Sequence, residues 1–136
     1  MSGTLDPALI PNAASVALID GDRVLLIKRA YAPYQHLWTL PGGRTEADES
    51  GEACACRELT EELGLTIADL VHLETQVLAK GQWRLAVYAT RRFAGTPTPS
   101  DEIADLRWVR LGEVAELKTT SRLVDVLEMA FAAIAR

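Results

Sequence analysis

The sequence predicts one mixed α/β domain. Three observations carry this. Short apolar runs are bounded by Gly, Pro and Asp turn signals, as strands are. A stretch near the middle switches to helical spacing, with glutamates on one side and leucines on the other. The C-terminal segment keeps a helical apolar period.

Residues 13–19 and 24–29 are apolar runs separated by Asp20-Gly21-Asp22, which reads as two strands joined by a tight hairpin. Residues 31–37 read as a loop containing Pro33, and 38–40 as a short strand stopped by Pro41-Gly42-Gly43. A helix is expected over about 50–63, with Ser50 as N-cap and Gly64 as a left-handed terminator. Residues 70–79 and 83–93 read as strands around Lys80-Gly81-Gln82. The run GTPTPS at 95–100 is a loop, 107–110 a final strand and 111–117 a short helical turn. Over 122–135, Leu123, Val126, Leu127, Ala130, Phe131 and Ile134 share one face of a helix that should pack on the sheet. The whole of 1–136 is expected to form one domain, with 1–11 a loosely ordered N-terminal segment.

Glu58, Glu61 and Glu62 stand at i, i+3 and i+4, so a helix gathers them on one face. Close carboxylates oppose one another's ionisation. A hard divalent cation such as Mg²⁺ or Mn²⁺ supplies the missing counter-charge. Cys56, Leu59 and Leu63 fall on the opposite side, available to a core. Arg57 lies four residues before Glu61, within reach of a carboxylate that it could orient. A bare E-x-x-E-E would read as a solvated face; the fixed glycines, Glu49 and Arg57 argue against that here.

Charge is local to this region. Residues 43–65 hold seven acids and two bases, which is the whole formal net charge of −5; the other twelve bases and twelve acids cancel. A general nucleic-acid-binding surface would be basic, so a polymeric nucleic acid is not an expected partner. No apolar run reaches membrane-spanning length, and no membrane partner is expected. The first residues, MSGTLDPALIPN, lack a basic stretch followed by an apolar one, which makes the cytoplasm the expected location. Cys54 and Cys56 point to different sides of a helix, so they neither pair nor, with His36 and His72, outline a zinc site. Cys56 reads as core, and Cys54, on the glutamate side, as a partly exposed thiol.

Segment 43–65 fits G-x5-E-x7-R-E-U-x-E-E-x-G-U, with U aliphatic, at every fixed position: Gly43, Glu49, Arg57, Glu58, Leu59, Glu61, Glu62, Gly64 and Leu65. A chance match in a chain this short is roughly one in ten million or rarer. On these residues the chain resembles the Nudix family, which hydrolyses nucleoside diphosphates linked to another group. The resemblance implies a Nudix-type α/β/α sandwich, a mixed sheet between helices. It implies Glu58, Glu61, Glu62 and the Gly43 carbonyl as ligands of Mg²⁺ or Mn²⁺. Glu49 would stand beside them, either reaching the ion through water or accepting from a neighbour behind the ligands, and Arg57 would hold the glutamates. Glu102, six residues before Trp108, resembles the loop glutamate that some members use as ligand or base; Glu58 and Glu61 are alternative bases. Family members are often dimers, so a homodimer is compatible with the resemblance; the residues themselves indicate no oligomeric state.

The pyrophosphate chemistry leaves the attached group unspecified. Candidate substrate-binding residues are Arg29, Tyr34, Arg44 and Trp83, with Tyr31, His36 and Trp38 beside them. Strand tryptophans are more often core, which is the plainer reading of Trp38 and Trp83. The proline or tyrosine that marks some subtypes beyond the motif is absent, since 80–83 hold Lys80, Gly81, Gln82 and Trp83. The stretch WTLPGG looks like members acting on nucleoside triphosphates and sugar nucleotides alike. The expectation places an ADP-ribose or sugar-nucleotide substrate slightly above an oxidised dNTP. A non-catalytic nucleotide sensor, an isomerase on the same scaffold and a structural acidic domain are the rival classes; the intact motif argues against each.

Overall fold

The computed structural model describes residues 10–134. Most of the expected N-terminal segment 1–11 therefore lies outside the described residues. Of the part inside, Ile10 is exposed and its carbonyl accepts from Arg84 Nε.

Strand β1 (Ala13–Asp20) turns at Gly21 into β2 (Arg23–Arg29), and Gly21 sits at φ +64°, where a side chain would strain the hairpin. Short strands β3 (Trp38–Thr39) and β4 (Gly42–Arg44) follow. Helix α1 (Gly51–Leu63), β5 (Thr66–Ala68), β6 (Val71–Leu78), β7 (Trp83–Thr90), β8 (Arg92–Ala94), β9 (Ile103–Arg110) and α2 (Leu123–Ile134) complete the order. Seven strands form one sheet: β3, β2, β1, β7 and β6 are neighbours in that order, while β4 also pairs with β1 and β9 with β2. The β1–β7 pairing is parallel and the others antiparallel, so the sheet is mixed.

Alternation along the strands makes two cores. Ala14, Val16, Leu18 and Ala86 face α1, where Ala55, Leu59 and Leu63 cover them. Ala17, Ile19, Val87 and Ala89 face α2, where Val126, Leu127 and Ala130 cover them. This is the α/β/α sandwich that the sequence resemblance implies.

Several boundaries differ from expectation, each for a local reason. Pro41-Gly42-Gly43 does not simply end a strand. Gly42 to Arg44 pair with β1, because Gly42 comes so close that a Cβ would strike the Ala14 carbonyl. The expected strand 83–93 breaks after Thr90, whose hydroxyl donates to the Ala68 carbonyl and accepts from Arg92 N–H; β8 then pairs with β5 instead. The final strand begins at Ile103 rather than 107, since β9 pairs with β2 over its whole length. Residues 111–116 form the expected helical turn, here a 3-10 helix.

Candidate active site

The acidic helix is held at both ends. Ser50 Oγ accepts from Ala53 N–H at 3.1 Å, and Gly64 at φ +69° closes the C-terminus with its N–H on Thr60 O at 2.9 Å. Leu59 and Leu63 are fully buried, so the face carrying Glu58, Glu61 and Glu62 is turned toward β4 and the loop before β9. A Cβ on Gly43 would collide with the Glu58 carboxylate, which places this backbone and that side chain against one another.

Arg57 interlocks the acids. Its Nε and Nη2 donate to both Glu49 oxygens, at 2.8 and 2.9 Å. Nη1 donates to Glu58 at 3.0 Å and to Glu61 at 3.1 Å, and Nη2 reaches the Arg44 carbonyl at 2.8 Å. Five donors in a planar fork suit this better than lysine would. Glu49 also accepts from Glu46 N–H. Its hydrogen bonds from Arg57, then that from Glu46, hold its carboxyl down at about 2. The Glu49 hydrogen bond, then the charges of Glu58 and Glu46, push the Arg57 pKa further up.

Glu62 is buried, and burial raises its pKa from 4.5 to about 9. The Glu58 carboxylate, close enough to share its proton, adds to this, as does the charge of Glu102, while Arg29 opposes it. Backbone bonds bring Glu102 here. Thr98 N–H and Ser100 N–H cap the helix carbonyls of Leu63 and Glu62 at 2.8 and 2.9 Å, and Ala30 N–H holds the Glu102 carbonyl at 3.0 Å. A residue forty positions after Glu62 thereby comes near the acidic cluster.

The donor set is all hard oxygen: glutamate carboxylates and the Gly43 carbonyl, which suits Mg²⁺ or Mn²⁺. A carboxyl buried beside another carboxyl, with Arg57 spent on Glu49, Glu58 and Glu61, leaves negative charge that a cation would neutralise. Among the described residues no three acidic, cysteine or histidine side chains already converge with ligand spacing.

Cys54 corrects one expectation. It is fully buried rather than partly exposed, because β4 lies over this side of the helix. Its thiol donates weakly to the Gly43 carbonyl at 3.5 Å, and burial raises its pKa to about 11. Cys56 is half-buried against the core. The Cys54–Gly43 contact was not legible in the chain, since nothing in the spacing shows a strand folding over the glutamate side.

The substrate-binding candidates divide. Trp38 is core, packed on the α2 side. Arg29 lies near Glu62, with its Nε on the Pro33 carbonyl at 2.7 Å. Tyr31 and Tyr34 are exposed on the same loop. Arg44 and Trp83 meet, the guanidinium 4.5 Å from the ring centroid. Strand register sets them on the face away from α1, because Arg44 is opposite Ala13, and Ala13 opposite Leu85. Asn12 joins the two strands. Its side chain accepts from Arg84 N–H and donates to the Gln82 carbonyl, and its own carbonyl accepts from Thr45 N–H. No sequence signal singled it out.

A family model described as the NUDIX domain matches residues 9–129. The chain belongs to the Nudix family of pyrophosphohydrolases. A relative from Mycobacterium tuberculosis named "Putative 8-oxo-dGTP diphosphatase 2" is 34% identical over 105 residues, covering 74% of each chain. The same organism's NAD-capped RNA hydrolase NudC is 33% identical over 118 residues, 81% of this chain but 34% of that longer one. The crystal structure of a MutT NUDIX hydrolase from Burkholderia pseudomallei superposes with a TM-score of 0.77 at 31% identity, covering 88% of this chain and 97% of the other. Members of the family work with divalent metal cations. No helix among the described residues is long and apolar enough to cross a membrane.

Proposed function

We propose that this protein hydrolyses a phosphoanhydride bond of a small nucleotide, with Glu58, Glu61, Glu62 and the Gly43 carbonyl holding Mg²⁺ or Mn²⁺. The single observation behind this is the cluster itself: a buried Glu62 beside Glu58 against the Gly43 backbone, with Arg57 on Glu58 and Glu61. A bound ion supplies charge neutralisation on the phosphates and acidifies a water. Arg57 orients Glu58 and Glu61, and Glu49 keeps Arg57 in place. We assign Glu102 as the base that takes the proton from the attacking water. Its charge is felt at Glu62, and among the described residues no arginine or lysine ties it down, whereas Arg57 holds Glu58 and Glu61.

The relative of similar length named for 8-oxo-dGTP favours a nucleoside triphosphate, cleaved with water to a nucleoside monophosphate and pyrophosphate. The WTLPGG stretch is compatible also with an ADP-ribose or sugar-nucleotide substrate, cleaved with water to a nucleoside monophosphate and a sugar phosphate. A Mg²⁺-containing panel of dGTP, 8-oxo-dGTP, ADP-ribose and UDP-glucose, scored by product mass, separates the two. Tight binding without any metal-stimulated cleavage would instead support a sensor.

A further inference from the structure

We infer that Gln35 is a positioning residue for the reaction, fixing the place of Glu102 through the Ala30 peptide. This rests on the reading of Glu102 as the base.

The backbone sets where Glu102 stands, since among the described residues no arginine or lysine ties down its carboxylate. The peptide that follows it is held on both sides. The Glu102 carbonyl accepts from Ala30 N–H at 3.0 Å, and Ile103 N–H donates to the Ser100 carbonyl at 3.1 Å. The β2–β9 ladder is adjusted to make the first of these. Lys28 is opposite Asp105, but Arg29 is opposite Ile103, so Ala104 is skipped. Continued without the skip, the register would set Glu102 opposite Tyr31 rather than Ala30. A bulge of this kind re-aims the side chains beyond it. Ile103, buried in the core beneath α1, pins the new register.

Ala30 opens a loop that burial does not hold, because residues 31–36 are all exposed. Tyr34 and His36 take φ +62° and +68°, left-handed values that side chains disfavour. Hydrogen bonds must therefore keep the loop in this shape. His36 N–H donates to the Arg29 carbonyl at 2.7 Å, Leu37 N–H to the Tyr34 carbonyl at 3.1 Å, and Arg29 Nε to the Pro33 carbonyl at 2.7 Å. Gln35 Nε2 adds a further bond, to the Ala30 carbonyl at 2.8 Å. Ala30 is thus gripped at both its polar groups, by Gln35 on the carbonyl and by Glu102 on the N–H. Without the Gln35 amide the Ala30 peptide is free to tilt, and the Glu102 backbone moves with it. The charge of Glu102 is felt at the buried Glu62, so such a shift changes its place against the acidic cluster. A reacting group displaced by about 1 Å can cost about a hundredfold in rate. Losing one exposed hydrogen bond populates the displaced state only in part.

The test compares Gln35→Ala and Gln35→Met, which keeps the length of the side chain without its N–H, with Glu102→Gln and the double variant Gln35→Ala with Glu102→Gln. Turnover is measured with Mg²⁺ on the preferred member of the dGTP, 8-oxo-dGTP, ADP-ribose and UDP-glucose panel, and folding is checked by thermal melting. Hydrogen exchange of the Ala30 amide is followed separately in the metal-free protein. Gln35→Ala and Gln35→Met should each lower kcat roughly three- to tenfold with KM nearly constant. In the Glu102→Gln background Gln35→Ala should cost nothing more. The Ala30 amide should exchange faster in Gln35→Ala at an unchanged melting temperature. Exchange at Ala30 that ignores Gln35→Ala would overturn the inference, as would a kcat loss that persists in full in the double variant. If Glu102→Gln is slow while Gln35→Ala keeps the unmodified kcat, the positioning role falls and the base reading stands. If Glu102→Gln turns over undiminished, the base reading falls, and the exchange at Ala30 alone decides whether Gln35 places Glu102.

Discussion

The two faces of the sheet are built on different principles. On the α1 side one arginine binds three glutamates within a single helical turn and its preceding loop, and a glycine backbone lies flush against a carboxylate. On the α2 side the strip from Arg44 to Gln76 takes one residue from each of four strands, and its polar end is held by a single partly exposed ion pair. The first arrangement is interlocked, so displacing one member moves several. The second is linked only at its two ends, Arg44 with Trp83 and Glu74 with Gln76 and Arg122. Bond-breaking chemistry needs groups held in advance where charge develops.

The largest expected effects are therefore on the interlocked face. Glu61→Gln or Glu62→Gln should leave the fold intact and lower Mg²⁺-dependent turnover about a hundredfold or more. Nucleoside monophosphate release, measured beside thermal melting, checks this; undiminished turnover in either variant excludes the ligand assignment. Glu62 adds a pH signature. Its folded pKa is raised to about 9 from 4.5, so the folded metal-free protein binds a proton that the unfolded chain releases. Stability from this group is complete below about pH 4.5 and is lost as pH rises toward 9. With metal chelated, the melting temperature should fall between pH 5 and 9, Mg²⁺ should restore it, and Glu62→Gln should flatten the decline. Glu49 works in the opposite sense: its carboxyl is held at about 2, so its contribution is present above 4.5 and lost only as pH falls through about 2.

Next in size is Arg57→Ala. It frees Glu49, Glu58 and Glu61 at once while touching no substrate in the proposed arrangement. Groups that orient metal ligands typically account for 10–100-fold in metal affinity or activity, so a loss of about that size is expected, seen as a higher Mg²⁺ concentration for half-maximal rate. Arg57→Lys should recover little, because an ammonium cannot span Glu49 bidentately. A variant whose metal requirement is unaltered would mean that the acids organise themselves.

The same contrast explains what the chain disclosed. Ser50, Gly64, Arg57 and the three glutamates are close in sequence, so helical geometry alone placed them, and the structure has the Ser50 cap, the left-handed Gly64 and Arg57 on Glu58 and Glu61. Glu102 was reachable only through its distance from Trp108, and three backbone hydrogen bonds bring it in. Cys54 was misplaced because periodicity shows which side of a helix is apolar, not which side another strand will cover. Glu74, Gln76 and Arg122 carried no signal at all. Their meeting depends on a bulge in β6 and on where α2 begins, and both are settled by packing across the sheet. Strands β4 and β5 escaped notice, and β8 was merged with β7, for a related reason: at three residues each, they are too short to show alternation.

The smallest effect expected is at the Arg44–Trp83 pair, and it tests whether the open face is as loosely coupled as its construction implies. The guanidinium over the indole at 4.5 Å is worth about 0.5–1 kcal/mol at an exposed position. Arg44→Ala should cost about that much in thermal stability. The Arg44 carbonyl, not its side chain, accepts from Arg57, so the substitution leaves the link to the acidic cluster in place. The nucleotide KM should rise by less than tenfold with kcat nearly constant, the pattern of a lost contact made equally in ground and transition states. A fall in kcat comparable to that of Arg57→Ala would show that the two faces are mechanically one, and that a side chain on the open face positions the Gly43 carbonyl through the strand they share.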